Sequence, residues 1–356
     1  MNNETLLSIC IPTYNRVDLL EKTILSIVSD SIFLNTNLVE IIVSDNCSTD
    51  NTGEVCSKYA QKFPDKFFYY RNEYNIGGDK NILKSLSYGK GKLLKLNNDY
   101  CFYIDGALEK ILNIILKNID EKNVLFFSNS LNKSVSTKKS FICNSLDEFV
   151  SKVSHRSTWI GAFSIWKSDY DKLKDIDRYV DLGLAQTDTL LRLLKSGRST
   201  YVSNEPLFHC PNVKRSGYNP AEVFGQNYLC KLLKPYVEEG LLNSQTYERE
   251  KKKVLVDTII PFYFDFDNQN NFNSNDFVET LKPIYKEDFY FYYYFHLARI
   301  NKLLSPITVP FVRIKNILEC NMKIFINTVL KRDEKITKYN IKLAYNLQKL
   351  RERRAV

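Results

Sequence analysis

No apolar run in the sequence approaches the roughly 18 uninterrupted residues that a membrane-spanning helix needs, which excludes a helical span within it. There is no CxxC pair either. The eight cysteines stand at 10, 47, 56, 101, 143, 210, 230 and 320, without the paired spacing of a zinc site, and are expected to be reduced, buried small hydrophobes. No internal repeat is present. Met1-Asn2-Asn3-Glu4 lacks the basic start of a secretory signal, so a cytoplasmic location is expected. Collagenous and disordered classes are excluded by composition, with only 12 Gly and 10 Pro among 356 residues against 44% hydrophobic side chains.

What is present is apolar and aromatic, with 23 Tyr and 22 Phe, enough surface to offset the entropy of ordering a long chain. The length suits a catalytic domain of about 200 to 250 residues plus an extension. Net charge is +9, but Phe311 to Val356 hold twelve Lys and Arg against four Asp and Glu, a balance of +8. The first 310 residues are therefore nearly neutral, at +1. A polyanion-binding enzyme is expected to carry basic surface around its active site, whereas this chain keeps it in the tail.

Leu6 to Ile11 and Val39 to Ser44 are apolar, β-favouring runs, and between them Leu19, Leu20, Thr23, Ile24 and Ile27 follow helical spacing with Asp18 near the start. Strand, helix and buried strand make a βαβ unit, so an α/β fold with a parallel sheet and right-handed crossovers follows. The alternation continues with a helix over 52–63, a strand over 67–71, a helix over 79–86 and a strand over 93–96. Asn123 to Ser128 and Ser157 to Trp166 also read as strands. Residues 267–275 read as a loop, and the aromatic stretches around them suggest packed helices. In the tail, Ile314, Ile317, Leu318, Met322, Phe325 and Val329 form one helical stripe and Ile336, Tyr339, Leu343, Leu347 and Leu350 another.

In an open α/β sheet ligands bind at the carboxyl ends of the strands. Those positions form a polar set: Pro12-Thr13-Tyr14-Asn15-Arg16, Asp45 to Asp50, Asn72 to Gly78, and Asn97-Asn98-Asp99. Taken in order with the strands before them, Ile9 to Arg16, Glu40 to Asn46 with Ser48 to Thr52, and Arg71-Asn72 with Asn75 and Gly77 closely resemble the family 2 glycosyltransferases of GT-A fold. The resemblance covers roughly the first 210 residues. It implies a domain over 1–210, and composition and helical patterning add a helical, aromatic-rich extension over 211–310 and a basic amphipathic tail over 311–356. It also implies an inverting transferase that uses a nucleotide-diphosphate sugar, a UDP-sugar above all, with a divalent metal.

By position, the resemblance assigns Pro12, Thr13, Tyr14 and Arg16 to the nucleotide pocket, Asp45 to the base, and Asn75, Gly77 and Lys80 to ribose and phosphate. The alternative for Asp45 is a helix or turn cap for the Ser48-Thr49-Asp50 segment. Relatives usually show two or three carboxylates after the fourth strand, because a hard cation prefers carboxylate oxygens. Here Asn97-Asn98-Asp99 keeps one. Asp99 and His209 are the expected Mn²⁺ or Mg²⁺ ligands, His209 being alternatively a structural or exposed side chain. Without metal, the diphosphate charge falls to Lys80, Lys214 or Arg215. For the base that deprotonates the acceptor hydroxyl, the resemblance points to Asp188 at a helix start, against a simple macrodipole role and with Asp181 as the competing carboxylate. Trp159 and Gly161 lie where this family places the donor or acceptor sugar, although Trp159 also suits a core.

The expected setting is capsule, O-antigen or other surface-polysaccharide synthesis, with a glycan or lipid-linked acceptor. Two other readings remain: a noncatalytic sugar-nucleotide or glycan-binding module, and a sugar-phosphate nucleotidyltransferase, which wants a Gly-rich basic loop where Pro12 to Arg16 stand. The tail can be a solvated face, a peripheral anchor on anionic lipid at the inner face of the plasma membrane, or a self-association element. Nucleic-acid binding is not expected, since no recognised motif accompanies the charge.

Overall fold

The computed structural model describes residues 4–129, 138–211, 213, 218–264 and 277–300. Its central sheet starts with β1 (Leu7–Thr13), β2 (Val39–Asp45), β3 (Phe67–Arg71) and β4 (Leu93–Leu96). β1 pairs in parallel with β2 on one side and β4 on the other, and β2 pairs in parallel with β3. A strand covered on both faces reads as a continuous apolar run, and β1 and β2 are buried along nearly their whole length. The register sets Thr13 beside Asp45 and Asp45 beside Arg71, so the chain segments leaving these strands share one rim.

The crossovers supply α1 (Val17–Val28), the short α2 (Ser31–Asn35), α3 (Thr52–Lys62) and α4 (Gly78–Ser87). α1 buries Leu20, Thr23, Ile24, Ile27 and Val28, the three-four spacing of its sequence. Its first amide, on Val17, donates to Asp50 Oδ2 at 3.0 Å, so the loop after β2 caps it. Beyond β4 come β5 (Phe102–Tyr103), α5 (Ala107–Asn118), β6 (Val124–Phe127), β7 (Ser140–Cys143), α6 (Leu146–Val153), β8 (Ser164–Trp166), α7 (Lys167–Tyr170), α8 (Ala185–Lys195), β9 (Thr200–Ser203) and β10 (Phe208–His209). The five-stranded order is β3-β2-β1-β4-β8, with β8 antiparallel to β4. A second sheet has the order β6-β9-β7, and β10 pairs antiparallel with β5.

From Ala221 onward the described elements are helical: 221–233, wound more widely in π fashion, then 234–238, 244–254, 255–264 and 277–285. The chain divides after Phe289 into two units, and in the second the described residues 290–300 are helical. The expected loop over 267–275 and the tail over 311–356 lie outside the described residues. Among the described residues no helix is long and apolar enough to cross a membrane.

Two expectations are corrected. Ser157 to Trp166 is a strand only over its last three residues, preceded by 3₁₀ turns at Ser154–Thr158 and Ile160–Ala162. The chain folds tightly there because Gly161 is pressed between the Trp159 ring and Asn98. The cysteines are not all free thiols: Cys101 and Cys210 are joined, their Cα atoms 4.5 Å apart. They are 109 residues apart in sequence, and the β5–β10 pairing that unites them leaves no spacing signature.

Candidate functional site

A cleft of ≈ 220 Å³ opens on the rim formed by the strand ends. Of the residues expected at the nucleotide pocket, Pro12, Thr13, Tyr14, Arg16, Asn98 and Asp99 line it. Asn46 and Gly78, from the strand-end segments Asp45 to Asp50 and Asn72 to Gly78, line it as well, and Asn81, Ile82 and Ile160 join them from elements that strand-end reasoning does not reach. Asp45, Asn75, Gly77, Lys80, Asn97, Trp159, Gly161, Asp188 and His209 are not among the lining residues.

Asp99 is 4% exposed and both of its oxygens have partners. Thr13 Oγ1 donates to Oδ2 at 2.9 Å and Arg16 Nη1 to Oδ1 at 3.1 Å. Burial pushes its carboxyl above the ordinary value, while Arg16 and the Thr13 hydroxyl pull it back. Thr23 Oγ1, from α1, donates to the Asp99 carbonyl at 2.9 Å and fixes the backbone of the triplet. Asn97 is fully buried, with Nδ2 donating to the Asn98 and Cys101 carbonyls at 2.9 and 3.1 Å.

Asp45 is fully buried behind the cleft. The Ser48 amide donates to Oδ1 at 2.9 Å and the Tyr69 hydroxyl to Oδ2 at 2.7 Å, so each oxygen has a partner within the protein. Its neighbour Asn46 faces the space instead and holds the next loop. Asn46 Nδ2 donates to Asn75 Oδ1 at 2.7 Å, and Asn46 Oδ1 accepts from the Ile76 amide at 2.9 Å and from Asn72 Nδ2 at 3.1 Å. Asn81 closes this amide network, accepting from Ser44 Oγ at 2.8 Å and from Asn72 Nδ2 at 3.0 Å. The loop then turns into α4 through Gly77 at φ 89, a conformation that suits glycine. Lys80 is exposed on the first turn of α4.

The segment beside the triplet is fixed from below. A Cβ on Gly161 would lie 2.7 Å from Trp159 Cζ2 and 2.9 Å from Asn98 Oδ1, so a bare backbone is required there. Trp159 is partly buried against the core, its ring edge-on to Phe208 at 6.4 Å between centroids. Lys95 on β4 is fully buried and donates through Nζ to the Leu96 and Gly161 carbonyls, each at 2.9 Å. Its ammonium lies 4.4 Å from the Phe208 ring centroid, and burial lowers its pKa to about 7. Lys95 thus ties the strand that delivers the triplet to the Gly161 turn. No motif marks it in the sequence; only a lysine inside an apolar strand hints at it.

Asp188 is 1% exposed on α8, where Arg178 donates to both oxygens, from Nε to Oδ2 at 3.1 Å and from Nη2 to Oδ1 at 2.5 Å. Arg192, one turn on, has Nε 3.3 Å from Oδ2. The α8 side chain directed at the Thr158 turn is Gln186, whose Nε2 donates to the Thr158 carbonyl at 2.9 Å. Gln186 Oε1 is buried without a hydrogen-bond partner. Asp181 lies in a 3₁₀ turn before the helix. Asp79, on the first turn of α4, accepts from the Ala185 amide at 3.3 Å and so links the loop of the cleft to the start of α8. Burial raises its carboxyl to about 6, against the pull of the Ala185, Leu184 and Gly183 amides.

His209 is exposed on β10, and the strand register sets it opposite Phe102, three residues beyond Asp99. Among the described residues no three His, Cys, Asp or Glu side chains converge on one point. The triplet offers a divalent ion one carboxylate whose oxygens Thr13 and Arg16 already engage, and a cation arriving there meets the Arg16 charge. This donor set does not fit a divalent metal.

The family model described as glycosyl transferase family 2 matches residues 8–130. Abequosyltransferase RfbV of Salmonella typhimurium is 42% identical over 108 residues, which make up 30% of this chain and 29% of that protein. The GalNAc(5)-diNAcBac-PP-undecaprenol beta-1,3-glucosyltransferase of Campylobacter jejuni is 35% identical over 107 residues, 30% of this chain and 33% of that protein. The matched region thus spans a third or less of these curated relatives. Among solved structures, S. aureus TarS superposes with a TM-score of 0.50 at 16% identity, over 74% of this chain and 44% of TarS. Mannosyltransferase PcManGT from Pyrobaculum calidifontis, solved with GDP-Man and Mn²⁺, gives 0.50 at 12% identity, over 85% of this chain and 88% of its own. At such identities the likeness speaks for the fold. Residues 8–130 match glycosyl transferase family 2, on a GT-A sheet that continues into a helical C-terminal region.

Proposed function

We propose that this chain is an inverting glycosyltransferase that moves a sugar from a nucleoside-diphosphate donor to a hydroxyl of a glycan acceptor in surface-polysaccharide synthesis. The observation that carries the reading is the cleft itself. Thr13, Tyr14, Arg16, Asn98 and Asp99 meet around one space at the carboxyl ends of parallel strands, inside the segment that matches the family. The names of the relatives, an abequosyltransferase and an undecaprenol-linked glucosyltransferase, support a sugar donor and a glycan or lipid-linked acceptor.

In the proposed reaction the acceptor oxygen attacks the anomeric carbon from the face opposite the diphosphate, forming a new C–O bond as the bond to the diphosphate breaks. The nucleoside diphosphate leaves with the electron pair, and the acceptor proton passes to Asp188. For Asp188 to take it, the acceptor hydroxyl must reach a carboxylate that is 1% exposed and is not among the residues lining the cleft. Residues 1–210 carry this chemistry, the helices over 221–285 brace it, and the basic tail over 311–356 places the enzyme on an anionic inner membrane face. The test is release of nucleoside diphosphate from a panel of nucleotide sugars with glycan acceptors. Turnover supports transfer, and binding without turnover for every donor removes it.

One observation favours a second reading, a noncatalytic sugar-nucleotide-binding module. Both oxygens of Asp188 are held by Arg178, which is how a structural carboxylate is used. The same turnover assay separates the two.

A further inference from the structure

The cleft has to receive a diphosphate, which brings negative charge that something must balance. A divalent cation is poorly provided for, because Asp99 is the one carboxylate of the triplet and both its oxygens are engaged. Lys80 is exposed and does not line the cleft, and Lys214 and Arg215 lie outside the described residues. Among the described lining residues, Arg16 is the only Lys or Arg.

Arg16 is also placed for the task. Its side chain keeps 44% of its exposure while Nη1 is held by Asp99 Oδ1 at 3.1 Å. The Tyr100 ring lies beneath the guanidinium, 5.6 Å from Cζ to the centroid. Guanidinium carries five N–H donors in a planar fork, so one bond to Asp99 fixes its orientation and leaves the rest of the fork for a ligand. Gly78, the first residue of α4, lines the same space and brings the partly positive end of that helix to it.

We propose that Arg16, not a divalent metal, binds and neutralises the donor diphosphate, with Asp99 acting as the anchor that aims the guanidinium. This rests on the nucleotide-sugar reading above. It assigns the surviving triplet carboxylate a task opposite to metal ligation: Asp99 restrains a cation belonging to the chain.

The test is titration calorimetry of the full chain with UDP, GDP, CDP and dTDP, each compared with its own nucleoside, in EDTA and in Mn²⁺. The expected result is a diphosphate that binds in EDTA more tightly than its nucleoside. Arg16→Gln should weaken that diphosphate about tenfold or more and leave the nucleoside unchanged, as loss of a charge-assisted contact does. Arg16→Lys, which keeps the charge but not the fork, should fall between. Asp99→Asn separates the two accounts by sign: a metal ligand, once lost, weakens diphosphate binding, whereas an anchor, once neutralised, leaves Arg16 uncompensated and binding in EDTA kept or strengthened. Binding that appears only with Mn²⁺ and is indifferent to Arg16→Gln overturns the inference and leaves the nucleotide-sugar reading standing. Equal losses for diphosphate and nucleoside in Arg16→Gln also overturn it. If neither diphosphate nor nucleoside binds in either buffer, the nucleotide-sugar reading and the inference fall together.

Discussion

Asp188 is buried with Arg178 on both oxygens and Arg192 one turn on, so its role as a base and its role as a structural anion predict different variants. As a base, Asp188→Asn should cut turnover by about 10²-fold or more while donor affinity stays constant. Normal turnover in that variant would return Asp188 to the task of holding its two arginines. Gly161 makes a sharper steric prediction. A methyl group there meets the Trp159 ring at 2.7 Å and Asn98 Oδ1 at 2.9 Å, so Gly161→Ala should destabilise by about 1–3 kcal/mol through overpacking. It should also weaken donor binding by displacing Asn98. Urea unfolding with a stability unchanged from wild type would show that the turn yields without cost.

At the scale of elements, α4 and α8 are joined through Asp79, and this joint has a pH signature. The folded carboxyl titrates at about 6 because burial raises it, whereas an unfolded aspartate titrates near about 3.9. The folded chain therefore holds the proton more tightly, and the contribution is complete below about pH 4 and lost as pH climbs to about 6. Asp79→Asn cannot titrate, so it should gain on wild type across that window by up to about 3 kcal/mol in urea unfolding. A gap between the two proteins that does not change with pH would remove the joint. The elements legible in the sequence were those whose signal is local: β3 and β4 follow from their apolar runs, and Thr52–Lys62 and Gly78–Ser87 from helical spacing. The turns at 154–162 were not, because what bends them is Gly161 against Asn98, a contact made far along the chain. The cleft divides in the same way. Pro12 to Arg16 and Asn98-Asp99 are visible because they follow strands. Asn46 facing the cleft, with Asp45 buried beside it, depends on the Tyr69 hydroxyl and the Asn72 amide, which only the assembled sheet brings near.

For the molecule as a whole, the helical region braces the segments that flank the cleft. Asn227 Nδ2 donates to the Leu182 carbonyl at 3.0 Å, ahead of α8. Tyr228 donates to Glu250 Oε1 at 3.1 Å, and both side chains are buried. The tail over 311–356 adds a balance of +8 charges. If it anchors the enzyme, sedimentation with anionic liposomes should be strong at low salt and lost at high salt, since each basic residue near such a surface contributes about 1 kcal/mol that screening removes. Salt-resistant self-association in the same sedimentation experiment would assign the apolar stripes to a second copy instead. The central claim, that the rim of this sheet holds a nucleotide sugar, is tested most directly by thermal unfolding of the full chain against a panel of nucleoside-diphosphate sugars. A ligand that binds only the folded state must raise the midpoint. A nucleotide-sugar site gives a rise with at least one donor, reduced in Asn46→Ala and Arg16→Gln; a panel that leaves the midpoint unmoved at saturating concentrations contradicts it.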